Sequence, residues 1–174
     1  MSSRYEELLA RVDELFQQIQ NRHGCSMKCA TGCHSCCKPG LTVNSLEARH
    51  IREGVDPVRA ASLLAASRIN PFRGKRCSFL QADGGCGIYE LRPLVCRSHG
   101  APLQFRNPED KSENALRFRD VCSLNFDGID LAALPPGDVM NLDTLNTLMA
   151  LLVKMEFGES EERIPLSPER LLQG

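Results

Sequence analysis

The sequence has no tryptophan and only two tyrosines, and aromatic residues make up 5% of its 174 positions. With so few flat side chains, and no basic stripe interleaved with them, it lacks the stacking surface of a single-strand nucleic-acid binder. An excess of either charge is also missing. Lys and Arg number 21 against 22 Asp and Glu, a formal net charge of −1 with a pI of ≈ 6.4. This balance argues against general nucleic-acid or anionic-membrane binding. The longest apolar run, Leu148 to Val153, falls far short of the ~18 residues that cross a bilayer. The opening stretch MSSRYEELLARVDELF is charged throughout and has no secretory core, so a cytoplasmic location is expected. Neither a Gly-x-Ser-x-Gly turn nor a His-Glu-x-x-His helix occurs, which leaves hydrolase chemistry without its usual residues. Gly and Pro, 13 and 10, are at ordinary usage, so the chain is not low-complexity.

Cysteine is what the chain has in excess. The nine are Cys25, Cys29, Cys33, Cys36, Cys37, Cys77, Cys86, Cys96 and Cys122. In a cytosol that keeps thiols reduced, so dense a set reads as metal-binding or redox-active before it reads as a disulfide framework. The odd count points the same way. Thiols that merely filled a core would be scattered, yet five of the nine fall between Cys25 and Cys37.

Around the cysteines the pattern predicts helices. Residues 3–23 carry a capping-box pair, Ser3 and Glu6. Leu8, Val12, Leu15, Phe16 and Ile19 form an apolar stripe, and Gly24 is the stop. The polar face mixes both charges, which suits packing on a core rather than on a membrane. A second helix is expected from Asn44, with Glu47 at the third position, to about Glu53. A third starts at Asp56-Pro57 and ends at Asn70-Pro71. Residues 71–125 read as irregular, with short strands near 102–105 and 116–121. Asn141 to Phe157 is the strongest helix, with Leu142, Leu145, Leu148, Leu152 and Met155 on one face and Gly158 at its end. A short helix is expected at Ser167-Pro168-Glu169. The predicted fold is mostly α, a single domain over 1–174 with few short strands. An irregular cysteine-rich metal-binding core, 25–125, is flanked by the helix 3–23 and a helical segment 141–172.

The first cysteine group reads C-x3-C-x2-C-C from Cys29 to Cys37. On a helix these positions and Cys25 share one face; Gly32 makes a loop an equal alternative. Either way the sulfurs are expected to converge as a soft multidentate site requires. Neighbouring side chains diverge in both helix and strand, so Cys36 and Cys37 are expected to serve different sites or different atoms of one cluster. The blander reading buries one of them as a small hydrophobe. Four thiolates on Zn²⁺, or on a four-iron cluster, leave about −2 to be screened. Lys28, Lys38, Lys75, Arg76, Arg92 and Arg97 all lie within four residues of a cysteine; Arg76 and Arg97 abut cysteines directly and are the stronger screening candidates. His34 and His99 are expected at the surface or in hydrogen bonds, since thiols already supply enough ligands.

The motifs resemble those of the YkgJ-type cysteine cluster family, the CxxCxxCC proteins described as zinc- or iron-chelating domains. The likeness lies in Cys29…Cys33-His34-Ser35-Cys36-Cys37, in Leu41-Thr42…Glu47, and in Cys77-Ser-Phe-Leu…Gly85-Cys86-Gly-Ile-Tyr89-Glu-Leu-Arg92-Pro93-Leu-Val-Cys96-Arg97. It covers roughly residues 25–125, with three residues between Cys29 and Cys33 where the family name gives two. The resemblance implies zinc or an iron–sulfur centre. The same domain occurs in flagellin lysine-N-methylases, which implies a place in protein modification for some members. The ligands expected here are Cys29, Cys33, Cys36, Cys37, Cys77, Cys86, Cys96 and Cys122, with Arg76, Arg92 and Arg97 toward the cofactor.

Paired C-x2-C knuckles a dozen or more residues apart are the usual zinc pattern. Here only Cys33-x2-Cys36 has that spacing, and closely spaced thiols joined by remote ones fit iron–sulfur ligation better. Eight thiols also suffice for two four-thiolate sites. The expected function is metal or iron–sulfur binding in the service of redox or protein-modification chemistry. The alternative is a structural zinc module presenting a surface to a protein partner. A thiol redox enzyme ranks third, because no thioredoxin-like strand and helix frame Cys33-x2-Cys36. No catalytic residue is assigned, and neither nucleic acid nor membrane is an expected partner.

Overall fold

The computed structural model describes residues 3–107, 109–110, 112, 115–159 and 162–173. In chain order the helices are α1 (Ser3–His23), α2 (Ser45–Gly54), α3 (Pro57–Ile69), α4 (Leu94–Ser98), α5 (Leu142–Phe157) and α6 (Pro168–Leu171). The strands are β1 (Thr42–Val43), β2 (Leu103–Arg106), β3 (Arg117–Asp120), β4 (Met140–Asn141) and β5 (Ile164–Pro165). The mostly helical class and the few short strands agree with the sequence pattern. The chain divides into two compact units. The first is Ala30–Leu94 with Leu152–Gly174, and the second is Ser2–Cys29 with Val95–Leu151.

In the first unit, local sequence sets the helix starts. Asn44 caps α2: its side chain accepts the Glu47 N–H at 2.9 Å, and the Glu47 carboxylate accepts the Asn44 N–H at 3.1 Å. The other Glu47 oxygen accepts the Leu94 N–H at 3.0 Å, which fixes the entry to α4. Burial pushes the Glu47 carboxyl up, while the Asn44 and Leu94 donors and the Arg163 charge pull it back. Asp56 caps α3 through the Val58 and Arg59 N–H groups, with Pro57 in the first turn. Ser167 caps α6, which packs against α2 and α3. Ser67 donates to Glu169 at 2.6 Å, and Leu171 is fully buried. The antiparallel pair β1–β5, with Val43 opposite Ile164, closes the unit.

In the second unit α1 buries Tyr5, Leu8, Leu9, Val12 and Ile19; a fully buried side chain of this size contributes about 1.5–3 kcal/mol. The Ser3 side chain, expected to cap this helix, lies outside the described residues. Beyond His23 the chain makes one 3₁₀ turn, Gly24–Ser26. Asp138 is buried and binds the end of α1, with Arg22 at 2.5 Å and His23 at 2.7 Å. Burial pushes its carboxyl up, but the His23 hydrogen bond and the Arg22 charge outweigh this and hold it below the usual range. Strand β2 is central, antiparallel to β3 and parallel to β4.

The apolar face expected for α5 needs correction. Leu148 and Met155 are 42% and 62% exposed, and the buried positions are Met149 and Val153. The helix is leucine-rich nearly all round, so apolar spacing alone selects no single face.

Replacing Glu47 by Ala removes half of the capping box and leaves the buried Leu94 N–H without its acceptor. The expected loss is about 1–3 kcal/mol, read as a lower urea midpoint at unchanged slope. An unaltered midpoint would show that the carboxylate contributes nothing.

Candidate metal centre

Residues 30–40 form successive turns rather than a helix. The Cys33 N–H donates to Ala30 O and the Cys37 N–H to His34 O, each at 3.0 Å, and the Lys38 N–H donates to Cys36 O at 2.7 Å. Gly32 and Gly40 sit at φ 85° and 76°, left-handed conformations that glycine enters without strain. Of the two alternatives for this stretch, the loop is the one formed. A backbone bond ties the next cysteine segment to it: the Cys77 N–H donates to Cys37 O at 3.0 Å. Cys86 is brought round by a tight turn in which it bridges Leu80 and the Gly87 N–H donates to Phe79 O at 2.8 Å. Gly87 packs closely there: an added Cβ would stand 2.4 Å from Leu63 Cδ2, so the Leu63 side chain would have to give way.

Four thiols of this unit act on one another. The Cys37 thiol is pushed far up, first by its hydrogen bond with the Cys36 thiol, then by burial, then by the charges of Cys36, Cys77 and Cys86. Cys77 is raised by burial and by Cys36, against the Phe79 and Leu80 N–H groups. Cys86 is raised by burial and by the Cys77 and Glu90 charges, while the Ile88 N–H and the Arg92 charge pull it down. Cys36, Cys37, Cys77 and Cys86 are therefore one electrostatic group, with Cys33 exposed in the same unit. Among the described residues, no three His, Cys, Asp or Glu side chains stand close enough to hold a metal ion as they are placed. The donor chemistry nevertheless fits one, since soft sulfurs that resist ionisation next to each other are relieved by a cation among them.

The Cys36 and Cys37 thiols hydrogen-bond with one another rather than diverging. The cause is the turn at this point, which lacks the alternation of a strand and the 100° step of a helix.

Cys29, Cys96 and Cys122 belong to the second unit, with Cys25. Cys96 lies on α4 and Cys122 follows β3. The Cys29 sulfur accepts from Asn125 at 3.2 Å. Arg92 lies over the Tyr89 ring at 3.7 Å, and its charge lowers the Cys86 thiol. Arg97 is buried and pairs with Asp13. Arg76 is half-buried, its backbone N–H on Phe72 O. The His34 ring packs against Phe72 with centroids 5.4 Å apart, and its buried Nδ1 has no hydrogen-bond partner among the described residues. His99 is exposed. Sequence reasoning missed Asn125; the signal was present in its place three residues after Cys122.

A family model described as "CxxCxxCC: Putative zinc- or iron-chelating domain" matches residues 28–123, just over half of the 174 positions. No curated protein and no solved structure matches the chain.

The raised thiols set a pH dependence for the metal-free, reduced chain. A thiol whose folded value lies above the ordinary 9.0 contributes fully below that pH and loses its contribution as pH rises through it. Urea midpoints measured from about pH 7 to pH 10 should fall at the alkaline end. The Cys77→Ser/Cys86→Ser variant should flatten that fall. Equal slopes for the two proteins would refute the coupling.

Proposed function

The chain belongs to the CxxCxxCC family, and on that premise we propose that it chelates an iron–sulfur cluster or a zinc ion through clustered cysteine thiolates. In the first unit the ligands are Cys36, Cys37, Cys77 and Cys86, with Cys33 at the exposed edge. The observation that carries this reading is the mutual elevation of these thiols. Sulfurs gathered only to fill a core would sit apart in hydrocarbon and would not feel one another's charge. Arg92 partly screens the set, and its guanidinium is held in place by the Tyr89 ring and by the Tyr89 carbonyl at 2.9 Å.

An iron–sulfur cluster supplies one-electron redox chemistry when bound; zinc supplies none and acts as a structural clamp. A centre whose positions are all filled by thiolates has no open site for a substrate. The role that follows is electron transfer or support of a protein-modification step carried out with a protein partner. The zinc alternative, a module that presents a partner surface, draws support from the tight glycine turn at residues 84–87 around Cys86.

Anaerobic purification with elemental analysis, acid-labile sulfide assay and a visible spectrum separates the readings. Iron with equimolar sulfide and a brown colour identifies a cluster. Zinc without colour, together with unfolding on chelation, identifies the structural module. Protein that is folded, metal-free and unable to take up either metal sinks both.

A further inference from the structure

From Pro57 to Ala82 the chain carries five cations, Arg59, Arg68, Arg73, Lys75 and Arg76, and no Asp or Glu. The full sequence balances its charges to −1, so the excess is local. Arg59 is accounted for, since it pairs with Glu90 and donates to the Gly87 carbonyl at 2.8 Å. The other four stand on the last turn of α3 and on the loop that leaves it. That loop is firmly built. Asn70 Oδ1 accepts the Phe72 N–H at 2.8 Å, and Asn70 Nδ2 donates to Leu80 O. The Asn70 carbonyl accepts the Arg73 N–H at 3.0 Å, and the Phe72 carbonyl accepts those of Lys75 and Arg76 at 2.9 and 3.0 Å. Arg73, Lys75 and Arg76 are thereby held within one reversal of the backbone, with Gly74 at φ 73° inside it.

Two contacts fasten this loop to the cysteine turns of the first unit. The Phe72 ring packs on His34, and the Cys77 N–H donates to Cys37 O. The second contact brings Lys38, next to Cys37, to the same side of the loop as Arg76, next to Cys77. Lys38, Arg68, Arg73 and Lys75 are exposed and Arg76 is half-buried. Among the described residues, none of these five side chains forms an ion pair or a hydrogen bond. Glu169 feels the Arg73 charge, but its carboxylate takes the Ser67 hydroxyl. Elsewhere in this unit cations meet carboxylates, as Arg49 does Glu156 and Lys154 does Glu159. Amid the unpaired charges, Ile69 is 86% exposed.

We propose that this surface docks a protein partner through an acidic segment, with Ile69 as the apolar contact and Lys38, Arg68, Arg73, Lys75 and Arg76 around it. Charge complementarity sets the sign of the partner. Cations gathered without counter-charges on a nearly neutral chain attract an anionic surface at a distance and fix its register on contact. The chemistry favours a protein over other polyanions. A nucleic-acid strand needs rings on which its bases stack, and the Phe72 ring of this loop is turned onto His34. A lipid surface needs an apolar face several side chains wide, whereas Ile69 stands among charges. The partner would seat beside the segments that carry Cys37 and Cys77. The surface rests on charge and exposure, independently of any metal.

The test uses the full chain, purified anaerobically, and a fluorescent oligoglutamate peptide with a central leucine, followed by anisotropy. Binding that weakens as salt rises is expected. Arg68→Gln/Arg73→Gln/Arg76→Gln should weaken it about tenfold or more, and Ile69→Ser about threefold. Arg106→Gln/Arg117→Gln, which neutralises exposed cations of the second unit, should leave it unchanged. The same peptide, activated with carbodiimide, should couple to Lys38 and Lys75 rather than to the exposed Lys28 and Lys154. No binding, equal binding by all variants, or coupling at Lys28 or Lys154 instead overturns the proposal. So does tighter binding, through the same residues, of single-stranded DNA or of phosphatidylserine vesicles. A chain that takes up no metal yet binds the peptide as expected sinks the metal reading and leaves the docking surface standing.

Discussion

A cysteine sulfur binds a metal as a thiolate, and thiolates gathered in a half-buried place repel one another. Both facts act on Cys36, Cys37, Cys77 and Cys86. Burial and the neighbouring sulfurs raise Cys37, Cys77 and Cys86, and the Arg92 charge pulls Cys86 back. Without a metal the proton is the counter-charge, and the thiols hydrogen-bond instead of closing round a point. A metal bound among them would displace those protons and take over the screening. Ligation and local order would then be the same event.

The regular elements do not carry the cysteines of the first unit. Its five cysteines stand on turns, and α2, α3 and α6 provide the core beneath them. A half-buried loop must satisfy its own backbone, and here the satisfaction runs between the cysteine segments, as in the Cys77 N–H bond to Cys37 O. Glu47 extends the arrangement by capping α2 with one oxygen and receiving the Leu94 N–H with the other. Its burial is the consequence of tying two distant stretches of chain to one carboxylate.

The helix starts were legible because each rests on residues within one turn: Asn44 with Glu47, Asp56 with Pro57, Ser167 with Pro168. The strands β2 and β3 were legible within a residue. The two-residue strands β1, β4 and β5 were not, because their partners lie far away in sequence and two residues carry no alternation to read. The buried side of α5 escaped for the opposite reason, an excess of apolar residues. The cysteines and the arginines beside them stand out by residue type and spacing, but which of them act on one another does not. The hydrogen-bonded Cys36-Cys37 pair and the Asn125 bond to Cys29 depend on turn geometry that residue type alone does not specify.

The conformation of the adjacent cysteines also bears on what kind of centre fits the first unit. Two sulfurs at hydrogen-bonding distance already approximate one edge of a thiolate tetrahedron, about 3.8 Å for metal–sulfur bonds near 2.3 Å. A mononuclear zinc site places all four thiolates on such edges. A two-iron cluster places two thiolates on each iron and needs the same close pair twice. A four-iron cube gives each iron a single thiolate, so its ligands lie farther apart than hydrogen-bonded neighbours. An adjacent, hydrogen-bonded pair such as Cys36 and Cys37 has the close spacing of such a tetrahedral edge.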